Sequence, residues 1–367
     1  MTLSHENKSL SLALAKFGYA LENCQVTSLG YGLINSTYLV QSDNKRFVLQ
    51  RLNRHVFKFP QQVTDNADLI CEHLKAKYLA KEYALQPIWQ HQSLEHKSHV
   101  EVAGEYWRSL HYVEHCQTLE AIENIEQAYY VASSFAQFTA ALSDFNSHRL
   151  ADIIPDFHNL SARLSQLEKA LKASANERIE QAQSTLKFID SQQPFCREIA
   201  ILIKQLPLRV THNDTKINNL LFNCDTNKPA AVIDLDTCMS GYLMHDFGDM
   251  VRSCCSSIAE DSAELADMSI NFDILSALAN AYITAFNGSL SEAEHKSLLF
   301  GVKLMPFMLG IRFLTDFLNG DKYFKTSYAT HNLVRAKNQL QLYKLFCQQQ
   351  TRLEEIVLST PALNAIA

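Results

Sequence analysis

Apolar residues in this chain keep two different periods, and the change between them near residue 116 constrains the fold more than any other feature. Before it, short apolar stretches at Cys24–Leu29, Ser36–Gln41 and Arg46–Leu52 are separated by Gly30-Tyr31-Gly32 and Ser42-Asp43-Asn44, which predicts an antiparallel meander. Two more strands are expected at Ala84–Trp89 and Tyr106–Val113. Helical spacing runs through Leu10, Leu14 and Phe17 in 9–23, and through Ala67, Ile70, Leu74 and Leu79 in 61–80. Beyond residue 116 the helical period holds over most of 118–144, 158–191, 195–206, 258–287, 291–318 and 331–358. One β-rich island, Asn219–Leu235, interrupts it. Ten glycines and eight prolines in 367 residues fall below the usual roughly 7% and 5%, which favours long elements. The expected class is α+β. A small β-rich lobe, 1–115, precedes a larger helical lobe, 116–367, across a tight hinge at Glu114–Gln117, and a cleft between lobes is where a ligand is expected.

Charge and cysteine narrow the setting. The formal net charge of −6 argues against a nucleic-acid partner, which needs a basic face. Nine cysteines without a CxxC pair read as free thiols, because vicinal bridging of Cys254 and Cys255 would be strained. The opening residues lack the basic-then-apolar order of a signal peptide. The most apolar stretch, Leu298–Leu314, is broken by Lys303, Pro306 and Arg312, so no membrane span is expected. A cytoplasmic location follows as the expectation; oligomeric state is not readable.

Chemistry concentrates in Val210–Phe222, where His212-x-Asp214-x-x-x-x-Asn219 leads into an apolar strand. Fifteen residues past Asn219, a second apolar run ends in Asp234 and then Asp236. Phosphoryl transfer needs one carboxylate to orient or deprotonate the attacking hydroxyl, and hard oxygen ligands to hold magnesium against nucleotide phosphates. Asp214 suits the first role; Asn219 and Asp234 suit the second. Lys216 either approaches the transferred phosphate or is an ordinary exposed lysine. His212 in such a loop braces the backbone.

The spacing is that of the kinase catalytic loop, and the chain resembles the aminoglycoside phosphotransferase and choline kinase superfamily, with its protein-kinase-like fold. Within it, the N-acetylhexosamine 1-kinase branch is the most similar. That likeness rests on Phe47–Asn53, His55–Phe57, Ile154–His158, Thr211–Lys216, Val232–Thr237, Asp246–Asp249 and Gly310–Phe324. The resemblance implies ATP as co-substrate, Mg2+ as cofactor, a sugar as acceptor and a sugar 1-phosphate as product. Asp246-Phe247-Gly248 has the letters of the kinase metal motif but lies 32 residues after Asp214. Asp234 lies where the metal acid is expected, about 20 residues on. Asp246 and Asp249 are therefore read as anchors of the next helix, by N-capping or pairing with Arg252.

On the nucleotide side, Gly30, Gly32 and Asn35 match a phosphate-covering loop, with glycines allowing close backbone approach. The phosphate-binding lysine is missing: Gln50 occupies its place, followed by Arg51. Strand alternation lets only one enter the site, and Arg51 is preferred for its charge. Glu72 is the candidate helix acid, and adenine is expected on the backbone at Tyr112–Glu114. For the acceptor, Arg312, Asp316, Asn319, Asp321 and Tyr323 form a polar and aromatic cluster, with Arg312 and Tyr323 implied as sugar contacts. Phe157 and His158 are further candidates, and Trp107 is read as core. Asp236 is placed with the substrate, with magnesium or a loop hydrogen bond as its other possible partners. The competing readings are a kinase for an amino alcohol, homoserine or an aminoglycoside, and a non-catalytic scaffold.

Overall fold

The computed structural model describes residues 5–29, 34–43 and 45–360. The first elements are α1 (His5–Lys16), β1 (Gln25–Ser28), β2 (Ser36–Ser42), β3 (Lys45–Leu52) and α2 (Pro60–Leu79). Then come β4 (Gln90–His91), β5 (His99–Val102), β6 (Glu105–His111), β7 (Cys116–Gln117), α3 (Ile125–Ala141), α4 (Leu160–Ala173), α5 (Asn176–Ser191) and α6 (Gln193–Leu202). The remainder is β8 (Arg209–Thr211), β9 (Leu220–Asn223), β10 (Pro229–Val232), β11 (Met239–Gly241), α7 (Leu243–Cys254), α8 (Phe272–Ala285), α9 (Glu292–Leu318), α10 (His331–Gln348) and α11 (Gln350–Ser359). The class is α+β, as expected. Two compact units emerge, both discontinuous in sequence. Unit 1 holds 1–118, 141–154 and 219–240; unit 2 holds 119–140, 155–218 and 241–367.

Unit 1 is built on an antiparallel sheet in the order β1-β2-β3-β6-β4, with β5 also on β6. Its register sets Gln50 opposite Arg108 and Arg51 opposite Trp107. Trp107 is fully buried, packs among Leu10, Leu14, Phe47 and Val100, and donates its ring N–H to Ser9 at 3.0 Å. A separate hairpin pairs β9 with β10 and adds β7 on the other side of β9. The strand expected at Ala84–Trp89 is irregular instead. Pro87 lacks the N–H a ladder needs, and regular pairing resumes at Gln90.

Unit 2 is helical, around a core that joins α4, α5, α6, α9 and α10 through residues such as Leu167, Phe195, Phe307, Ile311 and Tyr343. The helix α9 starts on a capping box: the Ser291 side chain takes the Glu294 N–H while Glu294 returns to the Ser291 N–H. Its apolar window is long enough to cross a membrane, yet 78% of that window is buried inside the protein. Lys303 lies over the Phe195 and Phe300 rings and reaches Gln350 at 3.0 Å. The helix expected over 258–287 begins only at Phe272, where the Asn271 side chain caps it. The expected 158–191 helix is two, broken where Ser174 and Ala175 turn extended. Gly248 of α7 and Gly301 of α9 allow a close crossing. A Cβ on Gly301 would sit 2.1 Å from the Met244 carbonyl oxygen, and one on Gly248 would sit 2.1 Å from that of Gly301.

Candidate active site

In unit 2 the segment after β8 is held by carboxylates of α7. Asp246 accepts the backbone N–H of His212 at 2.9 Å and of Asn213 at 2.7 Å. Asp249 accepts that of Thr215 at 3.1 Å, and the Thr215 hydroxyl donates to the Asp246 carbonyl at 2.6 Å. Burial pushes the Asp246 carboxyl up to about 7, against the pull of its two N–H donors. Asp249 also pairs with Arg252 at 2.8 Å, as the sequence suggested, and Arg252 reaches Glu260 at 2.6 Å. Neither aspartate is an N-cap; Tyr242 takes that place, and both lie inside the helix. The His212 ring is buried edge-on against Phe135 and Phe138. Asn213 takes a left-handed backbone, φ 65°.

This brace presents Asp214, partly exposed, in an ion pair with Lys216 at 2.7 Å. The Asp214 carboxylate holds the Lys216 ammonium above its ordinary value, outweighing desolvation. Arg312 of α9 lies over Phe157, Phe324 and Tyr323, with guanidinium-to-ring distances of 4.9, 5.5 and 5.9 Å. Burial lowers its pKa, while Tyr323, Asp249 and, least, Asp214 raise it. Burial and the Arg312 charge push His158 down to about 3, so the ring is neutral. Its Nε2 lies 3.3 Å from the Asn213 carbonyl oxygen, which assigns the ring proton there. Arg163, which the sequence reading missed, is pushed to about 10 by burial and Arg312, and donates to the Phe157 carbonyl at 2.9 Å. Asp316 accepts the N–H groups of Lys322, Tyr323 and Phe324, and Asp321 accepts Asn332 and Arg178, so both shape the segment that carries Tyr323. Asn319 caps the exposed end of α9.

In unit 1 the end of the β9–β10 hairpin ties Ile233, next to Asp234, to Asn219: Ile233 donates to the Asn219 backbone carbonyl at 3.0 Å. Asp234 is exposed and left-handed, φ 60° and ψ 57°, at the start of a 3-10 turn over Leu235–Thr237. Among the described residues no group of three or more His, Cys, Asp or Glu is set to hold a metal. The buried Asn219 and the exposed Asp234 nevertheless offer an amide oxygen and a carboxylate, donor types that fit magnesium, which takes few protein ligands and completes its shell with water and phosphate.

Two expectations need correction. Asp236 is buried, with one oxygen engaged by Arg108 and the other by the Asn35 amide at 2.7 Å, so it does not present itself to a substrate. Arg51 points away from the Gln50 face: it bonds Ser36 at 3.0 Å and lies 3.7 Å from Glu105, near Trp107. The guanidinium on the Gln50 face is that of Arg108, donating to Gln50 at 2.9 and 2.5 Å. Its signal in the sequence was an arginine at a strand centre between Trp107 and Leu110, where a buried charge demands a partner. Tyr112 and Glu114 both engage Arg46, the first through its ring at 5.2 Å. Glu72 is on the exposed side of α2. Gly30 and Gly32 lie outside the described residues. Two open hollows of about 320 and 420 Å³ on unit 1 hold none of these candidates.

The profile described as "APH: Phosphotransferase enzyme family" matches residues 25–277. Among solved structures, the chain is similar to an aminoglycoside phosphotransferase from Alicyclobacillus acidocaldarius, at 13% identity and TM-score 0.58, over 94% of this chain and 96% of that one. A microcompartment-associated aminopropanol kinase matches at 15% identity and TM-score 0.57, covering 95% and 98% of the two chains. A choline kinase from Cryptosporidium parvum Iowa II matches at 12% identity and TM-score 0.54, covering 94% and 95%. Likeness at such low identity is likeness of fold, and that fold is protein-kinase-like. With the profile matched over more than half its length, the chain belongs to the APH phosphotransferase enzyme family.

Proposed function

We propose that the protein is an ATP-dependent kinase that phosphorylates the anomeric hydroxyl of an N-acetylhexosamine. In this reading residues 1–115 serve chiefly the nucleotide and 116–367 the acceptor. Asp214 takes the proton as the anomeric oxygen forms its bond to the γ-phosphorus, and the bond to the β,γ-bridging oxygen breaks to release ADP. Lys216, held by Asp214, adds positive charge where the transferred phosphoryl group carries negative charge. Asn219 and Asp234 would hold magnesium, which neutralises phosphate charge when bound.

The observation that carries the acceptor assignment is Arg312, walled by Phe157, Tyr323 and Phe324. A guanidinium with a second arginine close by repels a cationic acceptor, whereas sugar hydroxyls and an N-acetyl carbonyl accept its hydrogen bonds and a pyranose face packs on the rings. The names of the similar kinases, choline and aminopropanol among them, favour a cationic acceptor instead. Phosphoryl transfer from magnesium-ATP to N-acetylglucosamine, N-acetylgalactosamine, glucose, choline, homoserine and kanamycin separates the two, with phosphorus NMR of the products. An anomeric phosphate on an N-acetyl sugar is the expected result. Turnover of cations alone would refute the Arg312 argument and keep the Asp214 mechanism; nucleotide binding with no turnover would favour a scaffold.

A further inference from the structure

We propose that Arg108 is a positioning residue that presets the carboxylate of Asp234 by holding Asp236, two residues along the same turn. The inference rests on the reading of Asp234 as a magnesium ligand. Asp234 keeps a left-handed backbone that costs a non-glycine residue energy, and such a conformation persists only where its surroundings impose it. Here the turn is fastened on both sides. Upstream, Ile233 is tied to the Asn219 carbonyl at 3.0 Å. Downstream, the Asn66 amide donates to the Cys238 carbonyl at 3.0 Å. Between these ties both Asp236 oxygens are taken, one by Arg108 and one by Asn35, whose own carbonyl accepts the Asn53 N–H at 3.0 Å.

Arg108 suits the task because its fork reaches two partners at once. Its Nε and Nη2 both donate to the Gln50 side-chain oxygen while Nη2 also meets Asp236. Gln50 is itself fixed by a bond from its amide to the Thr37 hydroxyl at 3.0 Å. The glutamine in place of a lysine on β3 is therefore not a lost charge. The charge stands one strand over, on the same face, directly across the ladder. Arg108 is only 2% exposed, which suits a brace better than a phosphate contact.

The test is isothermal titration of the full chain with ATP, once with excess magnesium and once with excess chelator. Outer partners of metal ligands are worth about 10–100-fold in metal affinity. Arg108→Gln should therefore lose a factor of that size from the magnesium-dependent tightening, with magnesium-free affinity held within about threefold. The double variant Q50K/R108Q returns a cation across the ladder and should recover most of the loss; it also carries the test if Arg108→Gln alone does not fold. A folded Arg108→Gln with undiminished magnesium dependence would overturn the proposal, as would a folded double variant that recovers nothing. An equal loss with and without magnesium would overturn it too, by putting the guanidinium on the phosphates. A wild-type chain that binds no nucleotide in either buffer would remove the reading of the whole site, and this inference with it.

Discussion

His158 shows how one residue ties stability to acidity. Its ring is held near a pKa of about 3 in the folded chain, against 6.5 for an ordinary histidine. Between those values the unfolded chain binds a proton that the folded chain does not, so stability rises with pH across that window and is lost as pH falls towards 3. In His158→Gln the loss between pH 6.5 and pH 4 should be visibly smaller, measured as urea midpoints at each pH; an unchanged pH dependence would show that the ring titrates normally. The same residue marks what the sequence could show. The proposed roles of Asp214, Asn219 and Asp234 could be read from spacing alone, because the three lie close together in sequence. Arg108 was not legible, because its partners Gln50 and Asp236 lie far away in sequence and only strand register and folding bring them together.

At the scale of elements, the crossing of α7 and α9 dominates. Methyl groups at Gly248 or Gly301 would meet backbone carbonyls that cannot swing aside. Gly301→Ala should cost about 2–3 kcal/mol or more, as overpacking does, and chemical denaturation reads it directly; an unchanged midpoint would mean that the helices separate freely. Helix periodicity gave most of unit 2, including the start of α9, where Ser291 and Glu294 are a readable cap. It overran at 258–271, where Asn271 is the true start signal, and it missed β5, four residues with only two valines to mark it.

For the whole molecule, the proposed base and the proposed magnesium ligands fall in different compact units: Asp214 belongs to unit 2, Asn219 and Asp234 to unit 1. Nucleotide capture and proton removal should therefore separate under mutation. Asp214→Asn should keep the thermal stabilisation by magnesium-ATP, roughly 5 °C or more at a hundredfold excess over Kd. Its turnover should fall by about a thousandfold. Loss of the thermal shift along with turnover would place Asp214 in nucleotide binding instead. The glycine crossing has a consequence for descent. Asp246, which fastens the loop, and Arg312, the proposed acceptor contact, ride on helices whose backbones meet at Gly248 and Gly301, so a slide of either helix would break that fit. On the proposed reading, a change of acceptor would come from exchanging side chains around Arg312 and Tyr323, with the anchorage of the loop left untouched.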